Sequence, residues 1–324
     1  MRVLVTGAAG FIGSNLVDRL LADGHHVIGV DNLSSGILGN LTQAFRFNTL
    51  SPGRFTFLHT DIQTPDLVGI VVGCNPEVIF HLAAQADPQV SLEDPQFDAR
   101  NNVLGTLNVC EASRRGGIRR VVYAGVDPSP EVPLPDGLVT DRIRVNSMSP
   151  HLVAKLAGEM YLRAYTEMSG LAPICLALPT VYGPRQSIHG PGGVIARLGV
   201  SMITGQPMAV YRGPAAAHHL IYVDDVVDAF VRAAEAPAEV TGTFAIGTGL
   251  QTALTEVVAL ISKVLDGASP ADLGLDRGTS AAEDATARKE LGWMPNFSLT
   301  EGIGRTLQWL HATMEPEPSL PISA

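Results

Sequence analysis

The sequence predicts an α/β protein whose doubly wound, mostly parallel sheet is covered by helices on both faces. In the first half of the chain, short β-branched or apolar runs alternate with helical patterns. A glycine-rich turn joins the first run to the first helix, and an aspartate ends the second run. Because each crossover helix must pack back onto the sheet, repeated βαβ units build such a sheet. In chain order, the expected strands are Val3–Val5, Val27–Val30, Phe55–Leu58, Val78–Phe80 and Val121–Ala124, and the expected helices are Phe11–Ala22 and Asn101–Ala112.

Composition and charge exclude several classes of protein. The 324 residues are 46% hydrophobic and 17% charged, which is enough for a sizeable buried core. No run approaches the roughly 18 apolar residues that a membrane span needs, and the first residues enter a strand pattern at once, so we expect a cytoplasmic protein without a membrane partner. The net charge of -10 and the scattered basic residues argue against a nucleic-acid partner. Cys74, Cys110 and Cys175 lie far apart and predict neither a disulfide framework nor a metal site.

The turn after the first strand has the spacing of a dinucleotide-binding motif. Gly7 permits a tight turn, Gly10 lets the backbone approach a pyrophosphate, and Gly13 lets the helix pack closely on the strand. Backbone N–H groups at the start of that helix, at Phe11 and Ile12, would face the phosphates. We therefore expect the turn to bind a dinucleotide. The alternative is a purely structural glycine turn.

Asp31 ends the second strand pattern, about 20 residues after the glycines, where a carboxylate accepts hydrogen bonds from ribose hydroxyls and repels a 2′-phosphate. NAD is therefore favoured over NADP as the cofactor, with Asn32 next to it. Asp61 and Ile62 follow the third strand pattern and are expected on the adenine side. The alternative is that Asp31 only ends a strand.

The second half of the chain is less regular. After about residue 180, Gly- and Pro-rich stretches separate shorter helical patterns, and two helices are expected at Asp224–Ala234 and Leu299–His311. We expect a smaller C-terminal lobe here. The expected units are a cofactor-binding Rossmann domain at 1–178, to which parts of 207–250 return, a substrate lobe at 179–312, and a flexible tail at 313–324.

Several further motifs extend the pattern along the chain. They are His81–Gln85, Asn102–Thr106, Val181–Gln186, Tyr222–Val227 and Leu291–Trp293. With the glycine turn and Asp31, they resemble the extended short-chain dehydrogenase/reductases, in particular the UDP-glucose 4-epimerases, up to about residue 312. The resemblance implies an NAD-binding Rossmann domain with Leu82, Ala83 and Ala84 among its cofactor contacts. It also implies a lobe that closes over a nucleotide sugar and a homodimer joined through a pair of helices.

The resemblance further implies a catalytic pair, and here the sequence departs from the family. In that family a Tyr, four residues before a Lys on one helix, exchanges a proton with a sugar hydroxyl while NAD takes the hydride, and a Ser or Thr shares the hydrogen bond. Lys155 matches the Lys, which also holds the ribose, but His151 stands at the Tyr position and Val126 near the Ser/Thr position. An imidazole with an ordinary pKa of about 6.5 can act as acid or base at neutral pH, so His151 is the candidate proton carrier. The alternative is that His151 is a spacer on a helix whose ligand contact is Lys155.

The positions that would contact the substrate also depart from the family. Thr180 replaces an Asn expected before Val-Tyr-Gly, and His218 stands where an Arg would grip a diphosphate. Arg277 is a candidate for the second phosphate contact. Arg185 is either a substrate contact or a surface or salt-bridge residue.

Three functions remain open on these observations. The first is an NAD-dependent epimerase of a nucleotide sugar, with UDP-hexoses expected, that uses His151 as proton carrier. The second is an NAD-dependent reductase or dehydrogenase of a non-nucleotide substrate, which would explain the altered phosphate contacts. The third is a catalytically lapsed NAD-binding protein.

Overall fold

The computed structural model describes residues 1–126, 139–140, 143–144, 149–188, 193–206, 217–267 and 285–314. In chain order, its strands are β1 (Arg2–Thr6), β2 (His26–Asp31), β3 (Phe55–His59), β4 (Val78–His81), β5 (Arg120–Val126), β6 (Val139–Thr140), β7 (Ile143–Arg144), β8 (Ala172–Leu178), β9 (Thr180–Tyr182), β10 (Ala217–Tyr222), β11 (Gly242–Ala245) and β12 (Gln251–Ala253). Its helices are α1 (Phe11–Ala22), α2 (Thr42–Leu50), α3 (Leu67–Cys74), α4 (Pro88–Glu93), α5 (Pro95–Ala99), α6 (Gly105–Gly116), α7 (Pro150–Ser169), α8 (Val194–Thr204), α9 (Val223–Glu235), α10 (Leu254–Leu265) and α11 (Leu299–Met314). A 3₁₀ turn covers Leu38–Leu41, and π-helical segments cover Arg100–Leu104 and Ala287–Leu291.

Seven of the strands form one parallel sheet, in the order β11-β8-β5-β4-β1-β2-β3. From β1 the chain moves outward through β2 and β3, and then crosses to β4 on the other side of β1. In doubly wound folds, this reversal opens a crevice at the carboxyl ends of the strands, where nucleotides bind. The predicted doubly wound α/β fold class is confirmed.

The central strands are largely apolar because helices cover both faces of the sheet, although Thr6 and His81 end β1 and β4. β4 and β8 are buried at every position. A strand of this kind is a continuous apolar run without alternation, as expected for a parallel sheet. The strand patterns of the first half each coincide with an observed strand, whereas β8 and β11 were not predicted.

Helix α7 carries His151 and Lys155. It begins with Ser149 as its cap, whose side chain accepts a backbone hydrogen bond at 3.2 Å, and with Pro150 in the first turn. It ends at Gly170, whose φ of 68° lies in the left-handed region. These are ordinary start and stop signals. His151 and Lys155 therefore lie one turn apart on the same face of the helix.

A close approach at Gly158 brings α7 against β5 and α6. A Cβ at this position would lie 2.8 Å from Oη of Tyr123 and 3.3 Å from Oγ1 of Thr106. The predicted helix Asn101–Ala112 is present but less regular than expected, because a π-helical segment precedes α6. Such segments are frequent at functional sites. Here the π segment contains the buried Asn102 and packs against α7.

The C-terminal half contributes to two sheets. β9, β10 and β12 form a smaller sheet, whereas β11 returns to the central sheet beside β8, and α9 packs against α1. The division of the chain at residue 178 stays a prediction. None of the helices within the described ranges is long and apolar enough to cross a membrane.

Candidate active site

The glycine turn lies at the carboxyl end of β1 and leads into α1. Gly7 has a φ of 71°, and its N–H donates to the carbonyl of Val30 at 2.8 Å. A Cβ on Gly13 would lie 2.0 Å from the Gly7 carbonyl oxygen, and one on Gly10 would lie 3.2 Å from the same atom. A larger residue at Gly13 would displace the turn. The backbone therefore forms a bare, tightly packed loop.

The start of α1 is suited to an anion. Its N-cap residue, Gly10, has no side chain to cover the first N–H groups of the helix, which belong to Phe11, Ile12 and Gly13. The first turn contains no acidic residue. Free N–H groups and the helix dipole favour negative charge at this end. The geometry fits the pyrophosphate of a dinucleotide.

Asp31 is held beside the turn at the end of β2. Its Oδ2 accepts a hydrogen bond from the N–H of Ala9 at 2.9 Å, and its Oδ1 accepts one from the N–H of Leu33 at 2.8 Å. Each carboxylate oxygen retains a further lone pair, so the group can still accept from two hydroxyls. The position fits a ribose diol, and a 2′-phosphate there would meet a negative charge.

Asn32 and Asp61 meet at the ends of β2 and β3. Nδ2 of Asn32 donates to Oδ2 of Asp61 at 2.7 Å, and Oδ1 of Asp61 accepts from the N–H of Gln63 at 2.7 Å. Ile62 is buried and packs against Gly105 at the start of α6. The polar pair thus lies at the rim of the crevice, whereas the side chain of Ile62 faces the core.

A buried network joins the ends of β1 and β4. Nδ1 of His81 lies 2.8 Å from Oγ1 of Thr6, and Nε2 lies 3.0 Å from Oγ1 of Thr106. The Thr6 hydroxyl accepts from the N–H groups of Leu82 and Ala83 at 3.2 and 3.1 Å, so its own proton points to Nδ1. The network therefore assigns His81 the neutral tautomer with its proton on Nε2.

The pKa of His81 agrees with this tautomer. Burial, followed by the charge of Lys155, lowers it to about 3. Next to His81, the side chains of Leu82, Ala83 and Ala84 are half-buried at the carboxyl end of β4. The network thus anchors the segment that the sequence assigned to the cofactor.

Lys155 is buried with its ammonium against an aromatic ring. Its Nζ is 4.3 Å from the centre of the Tyr123 ring, a cation–π distance. Burial lowers the pKa of Lys155 to about 8, although Cys175 and Asp98 act to raise it. Because this value is above 7, the side chain stays mostly charged at neutral pH.

His151 lies next to a buried carboxylate. Its Nδ1 is 3.6 Å from Oδ1 of Asp98, and the His151 side chain is 16% exposed whereas that of Asp98 is 1% exposed. Burial, and then the charge of Lys155, lower the pKa of His151, while Asp98 and the backbone of Gln85 act to raise it. The imidazole is therefore neutral at pH 7 and able to accept a proton.

Val126 stands near the expected Ser/Thr position and brings no hydroxyl there. It is the last residue of β5, half-buried, and pairs in register with Leu178 of β8. The residues that follow it, 127–138, lie outside the described ranges.

The candidate substrate residues are placed as follows. Thr180 begins β9, and His218 lies on β10. Arg185, with a φ of 70°, pairs with Asp18 on the cofactor helix α1, which is the ion-pair alternative for this residue. Arg277 lies outside the described residues. Contact of any of them with a substrate stays a prediction.

Two residues of the site were missed by sequence reasoning, namely Asp98 and Tyr123. Asp98 stands four residues before Asn102, on a stretch that was not predicted as a helix, and an Asp is exposed in most proteins. Only the packing of α5 against α7 shows that it is buried. Tyr123 lies within a strand pattern, where an aromatic residue indicates core and gives no signal of a contact with Lys155.

Comparison with known proteins adds independent information. The model of the NAD dependent epimerase/dehydratase family matches residues 3–247. The UDP-glucose 4-epimerase of Mycolicibacterium smegmatis is 41% identical over 314 residues, which cover 95% of this chain and 98% of the relative. A putative UDP-glucose 4-epimerase of Methanocaldococcus jannaschii is 32% identical over 315 residues, with 95% and 98% covered.

Solved structures of similar proteins cover nearly the whole chain. A UDP-glucose 4-epimerase of Thermotoga maritima with UDP-glucose superposes with a TM-score of 0.82 at 31% identity, covering 97% of this chain and 100% of that one. A UDP-glucose 4-epimerase of Thermus thermophilus in complex with NAD gives a TM-score of 0.78 at 30% identity, with 96% and 99% covered.

Proposed function

The chain belongs to the NAD dependent epimerase/dehydratase family, and on this basis we propose that it is an NAD-dependent 4-epimerase of UDP-hexoses in which His151 carries the proton. The observation that carries the proposal is the position of His151 one turn before Lys155, half-buried and kept neutral by its surroundings. The substrate class is supported by the related UDP-glucose 4-epimerases.

When bound, NAD would supply the redox chemistry, namely removal of a hydride from C4 of the sugar and its return on the opposite face. The protein must accept the proton of the C4 hydroxyl in the first half of the reaction and return it in the second. A neutral imidazole can do both, because its ordinary pKa of about 6.5 is close to the working pH. The net change is the inversion of C4, with no proton gained or lost.

Lys155 assists by its charge. At a pKa of about 8 it is mostly protonated at neutral pH, and the positive charge stabilises the oxygen anion that develops as the hydroxyl loses its proton. The same charge lowers the pKa of His151. We also assign Lys155 to the nicotinamide ribose, beside Leu82, Ala83 and Ala84.

The geometry supports the remaining cofactor contacts of this proposal. The turn from Gly7 to Gly13 and the first N–H groups of α1 hold the pyrophosphate, Asp31 holds the adenosine ribose, and Asn32 and Asp61 face the adenine side. All of these groups lie at the carboxyl ends of β1, β2 and β3.

We further propose a cytoplasmic homodimer. Val153, Met160, Tyr161 and Met168 of α7 are exposed, and their spacing places them on one stripe of the helix. Met160 is 70% and Met168 65% exposed, which is unusual for methionines on a surface without a partner. An isologous contact between two copies of α7 would bury the stripe.

A second candidate is an NAD-dependent reductase or dehydrogenase of a non-nucleotide substrate. It is favoured by the ion pair of Arg185 with Asp18, because this ion pair uses one end of a guanidinium that could otherwise contact a diphosphate. The presence of His218 where an Arg would grip a diphosphate also favours a non-nucleotide substrate. A third, a lapsed NAD-binding protein, is favoured by the absence of a hydroxyl at Val126.

Incubation of the purified protein and NAD with UDP-, GDP- and dTDP-hexoses, followed by NMR of C4 inversion, tests the proposal. We expect inversion of UDP-hexoses, lost at least about 100-fold in His151→Phe, because general acid–base catalysis contributes this much. His311→Phe, on the exposed end of α11, is the matched control and should retain the rate. Bound NAD without inversion of any sugar would overturn the proposal and leave the other two functions.

A further inference from the structure

Two buried polar groups face each other between α5 and α7. Nδ1 of His151 and Oδ2 of Asp98 have no hydrogen-bond partner in the part of the chain that the structure describes, and Nδ1 lies 3.6 Å from Oδ1 of the same carboxylate. This distance exceeds a hydrogen bond by a few tenths of an ångström. A buried polar atom without a partner destabilises the fold, so such a pair calls for a functional explanation.

The Asp98 carboxylate is held in place from its other side. Oδ1 accepts from Nδ2 of Asn102 at 3.0 Å and from Nε2 of Gln85 at 3.4 Å. Asn102 and Gln85 also exchange two hydrogen bonds, from Gln85 N–H to Asn102 Oδ1 at 2.9 Å and from Asn102 Nδ2 to the Gln85 carbonyl at 2.8 Å. Both donors approach Oδ1, the oxygen that lies 3.6 Å from Nδ1 of His151, so the carboxylate is fixed beside the imidazole.

We propose that Asp98 is a positioning residue for His151: it accepts a hydrogen bond from Nδ1–H and leaves Nε2 as the proton acceptor for the substrate. The opposite tautomer would place the lone pair of Nδ1 against a carboxylate, which is repulsive. This inference rests on the proposed function, in which His151 carries the proton. A phenol at the same position would need no such partner, because its hydroxyl has no tautomers.

The charges around His151 give Asp98 a second effect. The groups that act on the imidazole are Lys155, one turn along α7, Asp98 on α5, and the backbone of Gln85. Lys155 opposes protonation of the ring, and Asp98 favours it. Other charged groups on the elements packed against α7 have partners of their own: Glu93 on α4 bonds Gln89, Arg100 on the π segment pairs with Asp94, and Glu111 on α6 pairs with Arg114.

The proton path follows from this arrangement. Nε2 takes the proton of the sugar hydroxyl, and the resulting imidazolium donates a hydrogen bond through Nδ1–H to Asp98. When the hydroxyl is restored, Nε2 returns the same proton. Asp98 therefore takes no proton from the substrate and acts only through His151.

The tautomer is tested first in the unmodified protein with NAD bound. Nitrogen-15 NMR distinguishes a protonated from a bare ring nitrogen, and His151→Phe identifies the signals. We expect a proton on Nδ1 and none on Nε2 above the pKa of His151. A proton on Nε2 would overturn the proposal, whether or not the protein turns over a sugar.

Asp98→Asn tests the charge. The amide keeps Oδ1 for Asn102 and Gln85 but removes the anion, so the pKa of His151 should fall by about one unit or more, as expected for the loss of an opposite charge within roughly 4–6 Å. Asp94→Asn is the matched control, because it removes an exposed charge at the start of the same helix while an Asn still caps it. An equal shift in both variants, or none in Asp98→Asn, would contradict the proposal.

The catalytic effect is tested against His151→Tyr. If Asp98 acts through the imidazole, Asp98→Asn lowers kcat at least about 10-fold in the His151 protein and several-fold less when Tyr stands at 151. It should also move the acid limb of the pH profile only in the His151 protein. The same loss in both backgrounds would indicate a structural role. Failure of every variant to turn over a sugar would count against the proposed function, and the NMR result would still decide the role of Asp98.

Discussion

Tyr123 holds Lys155 by two contacts at once. The ammonium lies 4.3 Å from the centre of the Tyr123 ring, and the Tyr123 hydroxyl donates to the backbone carbonyl of Lys155 at 3.3 Å. Tyr123 is 1% exposed, so both contacts are shielded from water. One side chain of β5 thus fixes the charge and the backbone of the turn of α7 that carries the candidate catalytic residues.

Replacement of Tyr123 separates these contacts. Tyr123→Phe keeps the ring and removes one hydrogen bond, so the free energy of unfolding should fall by about 1 kcal/mol. Tyr123→Leu also removes the ring and leaves a cavity, so the loss should be about 2 to 3 kcal/mol. Urea unfolding measures both. Equal losses would show that the ring contributes nothing.

Gly13→Ala should disrupt the cofactor turn. Its Cβ would lie 2.0 Å from the Gly7 carbonyl oxygen, which belongs to the backbone and cannot rotate away. We expect at least about 3 kcal/mol of destabilisation and the loss of NAD binding in calorimetry. Gly73→Ala is the control: nothing lies within 4 Å of its Cβ on α3, and it should be neutral or stabilise by about 0.5 to 1 kcal/mol. A stable, NAD-binding Gly13→Ala protein would contradict the geometry.

Asp31→Asn should weaken the selection of NAD over NADP. The amide preserves the shape of the side chain but removes the charge that repels a 2′-phosphate. We expect NAD to bind about 10-fold more weakly and NADP to bind more tightly, as measured by calorimetry with each cofactor. Asp66→Asn, an exposed Asp before α3, should leave both affinities unchanged. If the ratio of the NAD and NADP affinities is unaltered in Asp31→Asn, the adenosine ribose does not bind at Asp31.

His81 makes the stability depend on pH. Its pKa is about 3 in the folded protein and about 6.5 in the unfolded chain, so below pH 6.5 the unfolded state binds the extra proton. The stabilisation is therefore complete above pH 6.5 and is lost as the pH falls toward 3. Urea unfolding between pH 7 and pH 4 should show this decline, and His81→Asn should be less stable at pH 7 but flatter over the range. If the free energy of unfolding falls equally with decreasing pH in both proteins, His81 is not the cause of the decline.

Met160→Glu should disrupt the proposed dimer. A charge in the middle of the exposed α7 stripe cannot be buried against a second copy without a large cost. We expect the sedimentation coefficient to change from that of a dimer to that of a monomer. Val72→Glu, on the exposed face of α3, is the control and should stay dimeric. A wild-type protein that sediments as a monomer would refute the proposed interface.

The sequence predicted the elements whose signals are local. The strand runs, the glycine turn, Asp31 and the boundaries of α1 depend on neighbouring residues, and the structure shows each of them where it was expected. The predictions were weaker where geometry depends on distant parts of the chain. The strands β8 and β11 were not predicted, and Asn101–Ala112 contains a π-helical segment that no spacing rule indicated.

The sequence by itself therefore predicted the fold class and the glycine turn, and it indicated a departure from the family at His151 and Val126. Only the tertiary structure decided which charges surround that histidine. Asp98 and His151 are 53 positions apart, and no periodicity relates them. They meet because α5 packs against α7, and the burial created by this packing strengthens the electrostatic interaction between the carboxylate and the imidazole.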